Sequence, residues 1–336
     1  MAGRPLAISP KAKLAIKSVL AALVLAFVAR HVAGTWRDLA ARGSYLQIDW
    51  PWLALASALY IAGLTAFGAY FGQVLSSGPT STRAYTSLRA YFISHLGKYV
   101  PGKAMVVVMR AGLLTPHGAR ASTAAFATLY ETLVMMATGA LASGLIFAIG
   151  WYTPPPAARG QATDIARIDI RLAAILAGAG LGLAFLVAAW PSVFPRLARL
   201  ARVPFPDVGP EALPRISAGL LAKGVAWSLV GWALLGLSQV AVIRGLRPGG
   251  LTPAAWPLAM ACVALATVAG FAVPISPGGL GVREWVLWTA LGSAIDRDLA
   301  VVSALALRLA WVVGELVAAA VLVSIRPSAS KPPSPP

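Results

Sequence analysis

Cysteine, histidine and acidic side chains are all scarce in this chain: one Cys, three His and eleven Asp plus Glu among 336 residues. A single cysteine, Cys262, excludes an internal disulfide and a cysteine-ligated metal. His31, His95 and His117 are scattered without the spacing of a ligand set, so neither a metal centre nor a cofactor is expected. The seven aspartates all fall in predicted loops, which weighs against a membrane transferase needing carboxylates for metal or base work. No Gly-Lys-Ser or Gly-Lys-Thr follows a glycine-rich loop, so ATP hydrolysis is not supported.

Charge as a whole is also sparse, at 12% Asp, Glu, Lys and Arg against 58% hydrophobic residues, where soluble domains carry roughly a quarter charged. The apolar residues gather in runs of about 20 or more, enough for a helix to cross roughly 30 Å of hydrocarbon. They do not alternate as barrel strands do, and lipid leaves only helices or closed barrels. The expected fold is an all-α polytopic membrane helix bundle.

Apolar stretches lie at about 13–33, 51–75, 121–150, 171–190, 218–243, 254–275 and 299–325. Two more segments, about 84–111 and 276–296, are interrupted by Pro, Gly and charge. A count of about eight transmembrane helices with one or two broken or re-entrant segments follows if 276–296 crosses and 84–111 re-enters. Residues 1–326 form one membrane domain, and 327–336 a basic Pro- and Ser-rich tail expected to be disordered.

The net charge of +17 would in a soluble protein suggest nucleic acid, but no module of that kind is present. The basic residues flank the spans, where they set orientation and meet anionic lipid headgroups. Arg4, Lys11, Lys13 and Lys17 precede the first span and place the N-terminus in the cytoplasm. A cleaved signal peptide is the competing reading, disfavoured by Arg30 and His31 directly after the apolar core. Arg196, Arg199, Arg202 and Arg215 mark a cytoplasmic loop, and 151–170 an outer one. Trp36, Trp50, Trp52, Trp151, Trp190 and Trp256 sit near span ends, as interfacial aromatics do. A homo-oligomer is left open.

Three of the four glutamates, Glu131, Glu284 and Glu315, lie within apolar segments. An ionised residue at a helix centre costs about 2.5–3.5 kcal/mol on insertion scales, so partners or a wet cavity are required. Lys98, Lys103, Arg110, Arg283 and Arg308 lie in similar segments. Arg308 and Glu315 are two turns apart and share one face. These groups are read either as structural ion pairs or as a site.

The first break, Gly97-Lys98-Tyr99-Val100-Pro101-Gly102-Lys103, loses an amide at Pro101 and gains turn freedom at its glycines, so two short helices should meet there. The second is Pro274-Ile-Ser-Pro-Gly-Gly-Leu-Gly-Val-Arg-Glu284. Here a helix ends at the prolines and restarts near Val282, offering first-turn amides to an anion beside Arg283. A Pro kink and a glycine hinge are the plainer alternatives. Paired broken segments point to a transporter's midplane site.

With Glu131 between them, these breaks resemble the transmembrane lysylphosphatidylglycerol synthase/flippase family over nearly the whole chain. The resemblance implies a membrane part that moves an aminoacylated phospholipid between leaflets. The family's synthase belongs to a separate C-terminal domain that is not found before Pro336, so its activity is not carried over. The expectation is a flippase-like lipid translocase of the bacterial inner membrane, not an enzyme. A membrane transferase or a non-catalytic subunit acting on lipid-linked substrates is the alternative. Lys98, Lys103, Arg283, Arg308 and the backbone of Gly278, Gly279 and Gly281 would hold a membrane-lipid headgroup, with Glu131 and Glu284 countering them or contacting an amino group on the headgroup.

Overall fold

The computed structural model describes residues 48–79, 82–99, 104–150, 164–200, 213–273, 279, 281–292 and 294–325. The described residues are helical, with no strand among them. We number the helices α1 (Trp50–Ser76), α2 (Ala84–His95), α3 (Ala104–Leu114), α4 (Ala121–Ile149), α5 (Asp164–Ala189), α6 (Phe194–Leu200), α7 (Ala218–Leu246), α8 (Trp256–Ala272), α9 (Val282–Leu291) and α10 (Arg297–Ser324). Five are long and apolar enough to span a membrane: α1, α4, α7, α10 and the 171–189 part of α5. The chain is thus a multi-pass membrane protein built as a helical bundle.

The expected spans beyond residue 50 map onto α1, α4, α5, α7, α8 and α10, whereas the span at 13–33 and the N-terminal basic cluster lie outside the described residues. Helix α5 starts seven residues before the apolar run at Arg171, which places Asp164 and Asp169 in helix rather than loop. Asp298 likewise lies in the first turn of α10.

Small residues set how closely the helices approach. Gly178 and Gly182 of α5 press on α4, where a Cβ at Gly178 would stand 2.7 Å from the backbone oxygen of Ala140. Gly236 of α7 meets the backbone of Met260 in α8 in the same way. Helix α1 lies along α7, with the Tyr70 and Phe67 rings covering Gly224 and Gly231. Lipid offers no hydrophobic drive between helices, so such close packing is the main source of association.

The two ends of the bundle are distinguishable. At one end Arg215 N donates to Ser77 O at 3.2 Å, and Gly78 abuts Thr123 at the start of α4. At the other, Asp49 N donates to Gly245 O at 2.9 Å, Arg171 Nε donates to Phe147 O at 2.8 Å, and Arg247 lies 3.5 Å from Asp296.

The first broken segment gives two short helices, α2 and α3, and the second a single short helix, α9. At about 1.5 Å per residue, α2 and α3 with 12 and 11 residues are too short to cross. Arg89 Nε donates to Leu322 O at 2.8 Å near the end of α10, whereas Lys98 reaches Glu315, mid-helix. Helix α2 therefore starts at the Ser77 end, and Lys98 lies near the bundle centre. Helix α9, of ten residues, leaves a second central turn, packs on α8 and ends beside the start of α10 at the Asp49 end. Within the segment at 276–296, the described helix is Val282–Leu291.

Candidate functional site

Both turns converge on one face of α10. Arg308, Trp311 and Glu315 follow at spacings of three and four, which aligns them along that face. Trp311 is the fifteenth of the 28 residues of α10, so the junction lies at mid-bundle. The indole is fixed by an Nε1 hydrogen bond to Ser238 Oγ at 2.9 Å, which itself donates to Ala56 O at 2.8 Å. Tyr60 of α1 stacks on it, ring centroids 4.2 Å apart and 8° from parallel.

Helix α2 continues into a single 3-10 turn, Leu96–Tyr99. Gly97 is needed here because a Cβ would stand 2.9 Å from Val106 N of α3. The turn delivers Lys98 and Tyr99 to Glu315. Lys98 Nζ and Tyr60 OH both contact Glu315 Oε1, and Tyr99 OH donates to Oε2 at 2.8 Å. Lys98 Nζ also donates to His95 Nε2 at 3.1 Å, so that ring nitrogen is an acceptor. Glu315 is thereby held by one ammonium and two phenols, and its side chain is only 2% exposed.

The second turn carries Gly279 and Gly281 at φ +75° and +83°, left-handed conformations that favour glycine. Gly279 also faces Gly270 of α8, where a Cβ on Gly279 would stand 3.1 Å from the Gly270 Cα. Helix α9 then begins at Val282. Glu284, its third residue, reaches back so that Gly281 N donates to Oε2 at 2.6 Å, the acidic half of a capping box. Its other oxygen pairs with Arg308 Nη1. The expectation that the 278–281 amides would be open to a ligand is corrected at Gly281, whose N–H is taken by Glu284. The helix N-terminus already holds an internal anion, as its dipole favours.

Arg283 is partly exposed and lies on the Trp311 ring, Cζ 4.1 Å from the centroid. No carboxylate pairs with it among the described residues. Glu131 and Glu315 each have another base, Arg110 and Lys98.

Glu131 belongs to a second cluster. Arg110 Nη1 lies 3.5 Å from Glu131 Oε2, Arg110 Nε donates to Ser94 Oγ at 3.0 Å, and Tyr91 OH donates to Glu131 Oε1 at 3.1 Å. The guanidinium is flanked by the Phe71 and Tyr91 rings, at 4.6 and 4.2 Å. This pair joins α3 to α4 and, among the described residues, meets the junction through the Tyr91–His95 ring contact. Of the residues singled out from sequence, the structure unites Lys98, Gly279, Gly281, Arg283, Glu284 and Arg308, and sets Glu131 apart. Lys103 and Gly278 lie outside the described residues.

Tyr60, His95, Tyr99 and Trp311 are the members that sequence reasoning missed. Trp311 lies one turn from Arg308 on the shared face, and Tyr99 adjoins Lys98, so spacing could have found both. Nothing in the run 51–75 distinguishes Tyr60. Among the described residues no group of His, Cys, Asp and Glu could hold a metal ion.

Two comparisons bear on this arrangement. The family model described as the lysylphosphatidylglycerol synthase TM region matches residues 14–319. No curated protein matches the chain.

Proposed function

Because the chain belongs to the lysylphosphatidylglycerol synthase transmembrane-region family, we propose that it is a lipid translocase moving a charged-headgroup phospholipid across a bacterial inner membrane. The observation that carries the reading is Arg283. A guanidinium at mid-bundle costs about 2.5–3.5 kcal/mol if unpaired, and the fold supplies neighbouring carboxylates, yet both are committed to Arg308 and Lys98. A cation left without an acid among the described residues, where the two broken segments meet, is suited to a lipid phosphate, whose acyl chains would stay in hydrocarbon.

The residues then take distinct roles. Arg283 offers planar paired donors to the phosphate, with Trp311 fixing the plane from behind. Arg308 and Lys98 flank it, each paired with its own acid. Lipid from either leaflet would reach the junction along the broken segment rooted at that face, a re-entrant arrangement with the logic of a midplane transporter site. Transport is passive or driven by an ion or potential gradient. The Ser77 end carries Arg83, Arg120, Arg196, Arg199, Arg215 and Lys223, whereas the other end mixes Arg171, Arg244, Arg247 and Arg297 with Asp49, Asp296 and Asp298. The positive-inside rule makes the Ser77 end cytoplasmic, and one crossing before Trp50 then gives a cytoplasmic N-terminus.

Purified protein in liposomes with a fluorescent lipid tests the reading. Wild type should move the lipid, Arg283→Ala should abolish movement while keeping a near wild-type melting temperature, and Arg283→Lys should retain part of it because charge persists without the fork. Chemical conversion of the lipid would make the protein a transferase. Neither conversion nor movement would leave a non-catalytic membrane subunit.

A further inference from the structure

The exposure of the charges at the junction is uneven in a way that bears on headgroup choice. The side chains of Lys98 and Arg308 are 22% and 15% exposed, whereas those of their acids Glu315 and Glu284 are 2% and 8% exposed. Each carboxylate already has a base and at least one further donor. Glu315 accepts from Lys98, Tyr60 and Tyr99, and Glu284 from Gly281 N and Arg308. The third buried glutamate, Glu131, is covered by Arg110 and Tyr91 at 2% exposure. The charges that face an incoming headgroup are therefore Arg283, Lys98 and Arg308, with the acids behind them. The aromatic faces are occupied as well. Lys98 Nζ lies 5.1 Å from the Tyr99 centroid and 5.8 Å from that of Tyr60, and Arg283 covers Trp311. Among the described residues an ammonium would find both junction acids already paired with a base, and would compete with the protein's own cations for them.

Resting on the translocase reading, we propose that the junction selects lipids whose headgroup is an anionic phosphodiester without an amine, and disfavours zwitterionic and aminoacylated lipids. The described charges support this in number: three cations against two carboxylates leave one positive charge, which one phosphodiester neutralises. A lipid ammonium would restore the excess, in a medium that screens charge weakly.

The test uses the full chain in detergent, titrated with acyl-matched phosphatidylglycerol, phosphatidylethanolamine and lysyl-phosphatidylglycerol while thermal stability is followed. Phosphatidylglycerol should reach half-maximal stabilisation at about tenfold lower concentration than the other two, equivalent to about 1.4 kcal/mol. Equal midpoints, or a preference for the lysyl ester, would overturn the proposal. Arg283→Gln should bring the midpoints together, and a preference that survives it would overturn the role of Arg283. Glycerophosphoglycerol, the same phosphodiester without acyl chains, should give no comparable shift. A shift as large as that from phosphatidylglycerol would show that the ligand is a soluble phosphate ester rather than a lipid. In liposomes the transport rates of acyl-labelled reporters should follow the same order. No transport of any reporter, with the binding preference intact, would remove translocation and leave the headgroup selectivity standing.

Discussion

Replacing Arg110 by alanine tests whether a buried charge pair in this bundle is structural, and its cost can be worked from the contacts. Arg110 and Glu131 are each 2% exposed. Removing the guanidinium leaves the carboxylate with the Tyr91 hydroxyl at 3.1 Å and Thr132 Oγ1 at 3.4 Å, two neutral donors for a charge that had a cation. Stranding one member of a buried pair costs roughly 3–5 kcal/mol. The vacated space between Phe71 and Tyr91 adds the loss of a stacked cation, about 1–2 kcal/mol when desolvated. At roughly 2–4 °C per kcal/mol for a chain of this size class, the melting temperature in detergent should fall on the order of 10 °C. The double variant Arg110→Met, Glu131→Gln removes both charges and keeps volume, and should recover most of the loss. A single variant melting within about 2 °C of wild type, or a double variant no better than the single, would refute the reasoning and move this pair from scaffold toward site.

Other outcomes follow from the same geometry. Arg308→Ala should destabilise by roughly 3–5 kcal/mol because it strands Glu284, in contrast to Arg283→Ala, which strands no acid; equal melting temperatures for the two would contradict the pairing. Gly279→Ala forces a side chain onto φ +75° with a Cβ 3.1 Å from the Gly270 Cα, and should cost about 1–3 kcal/mol, measured by thermal melting with Gly112→Ala, which has open space, as control. Cys262 is fully buried and should react with maleimide only on unfolding. Against that silent background, Arg83→Cys should label from the cytoplasm and Thr252→Cys from outside, and the reverse pattern would invert the topology.

The Arg283 and Arg110 variants separate two uses of charge that look alike in composition. At Arg110 the guanidinium has a carboxylate, a serine hydroxyl and two ring faces as neighbours, and the pair joins α3 to α4. At Arg283 the neighbouring charges compensate one another, and no carboxylate among the described residues pairs with the guanidinium. The difference lies in the third partner: Arg308 takes Glu284 and Lys98 takes Glu315, and this leaves Arg283 unmatched.

The sequence by itself determined that the chain is a helical membrane bundle, because length and composition of apolar runs answer directly to bilayer thickness and to the need to pair backbone groups within the chain. It also showed both breaks, since Pro101, Pro274 and Pro277 with their glycines cannot continue a helix, and the shared face of Arg308 and Glu315, since helical periodicity needs no partner. Tertiary structure alone decided which charge meets which. Three glutamates and several bases permit many pairings, and only the meeting of the two broken segments at mid-bundle brings Lys98 to Glu315 and Glu284 to Arg308. Capture of the Gly281 amide by Glu284 was likewise invisible, because N-terminal amides look open until the side chain that caps them is placed. Tyr60 joined the site for the same reason: an aromatic in an apolar run carries no mark of function until another helix is seen to stack against it.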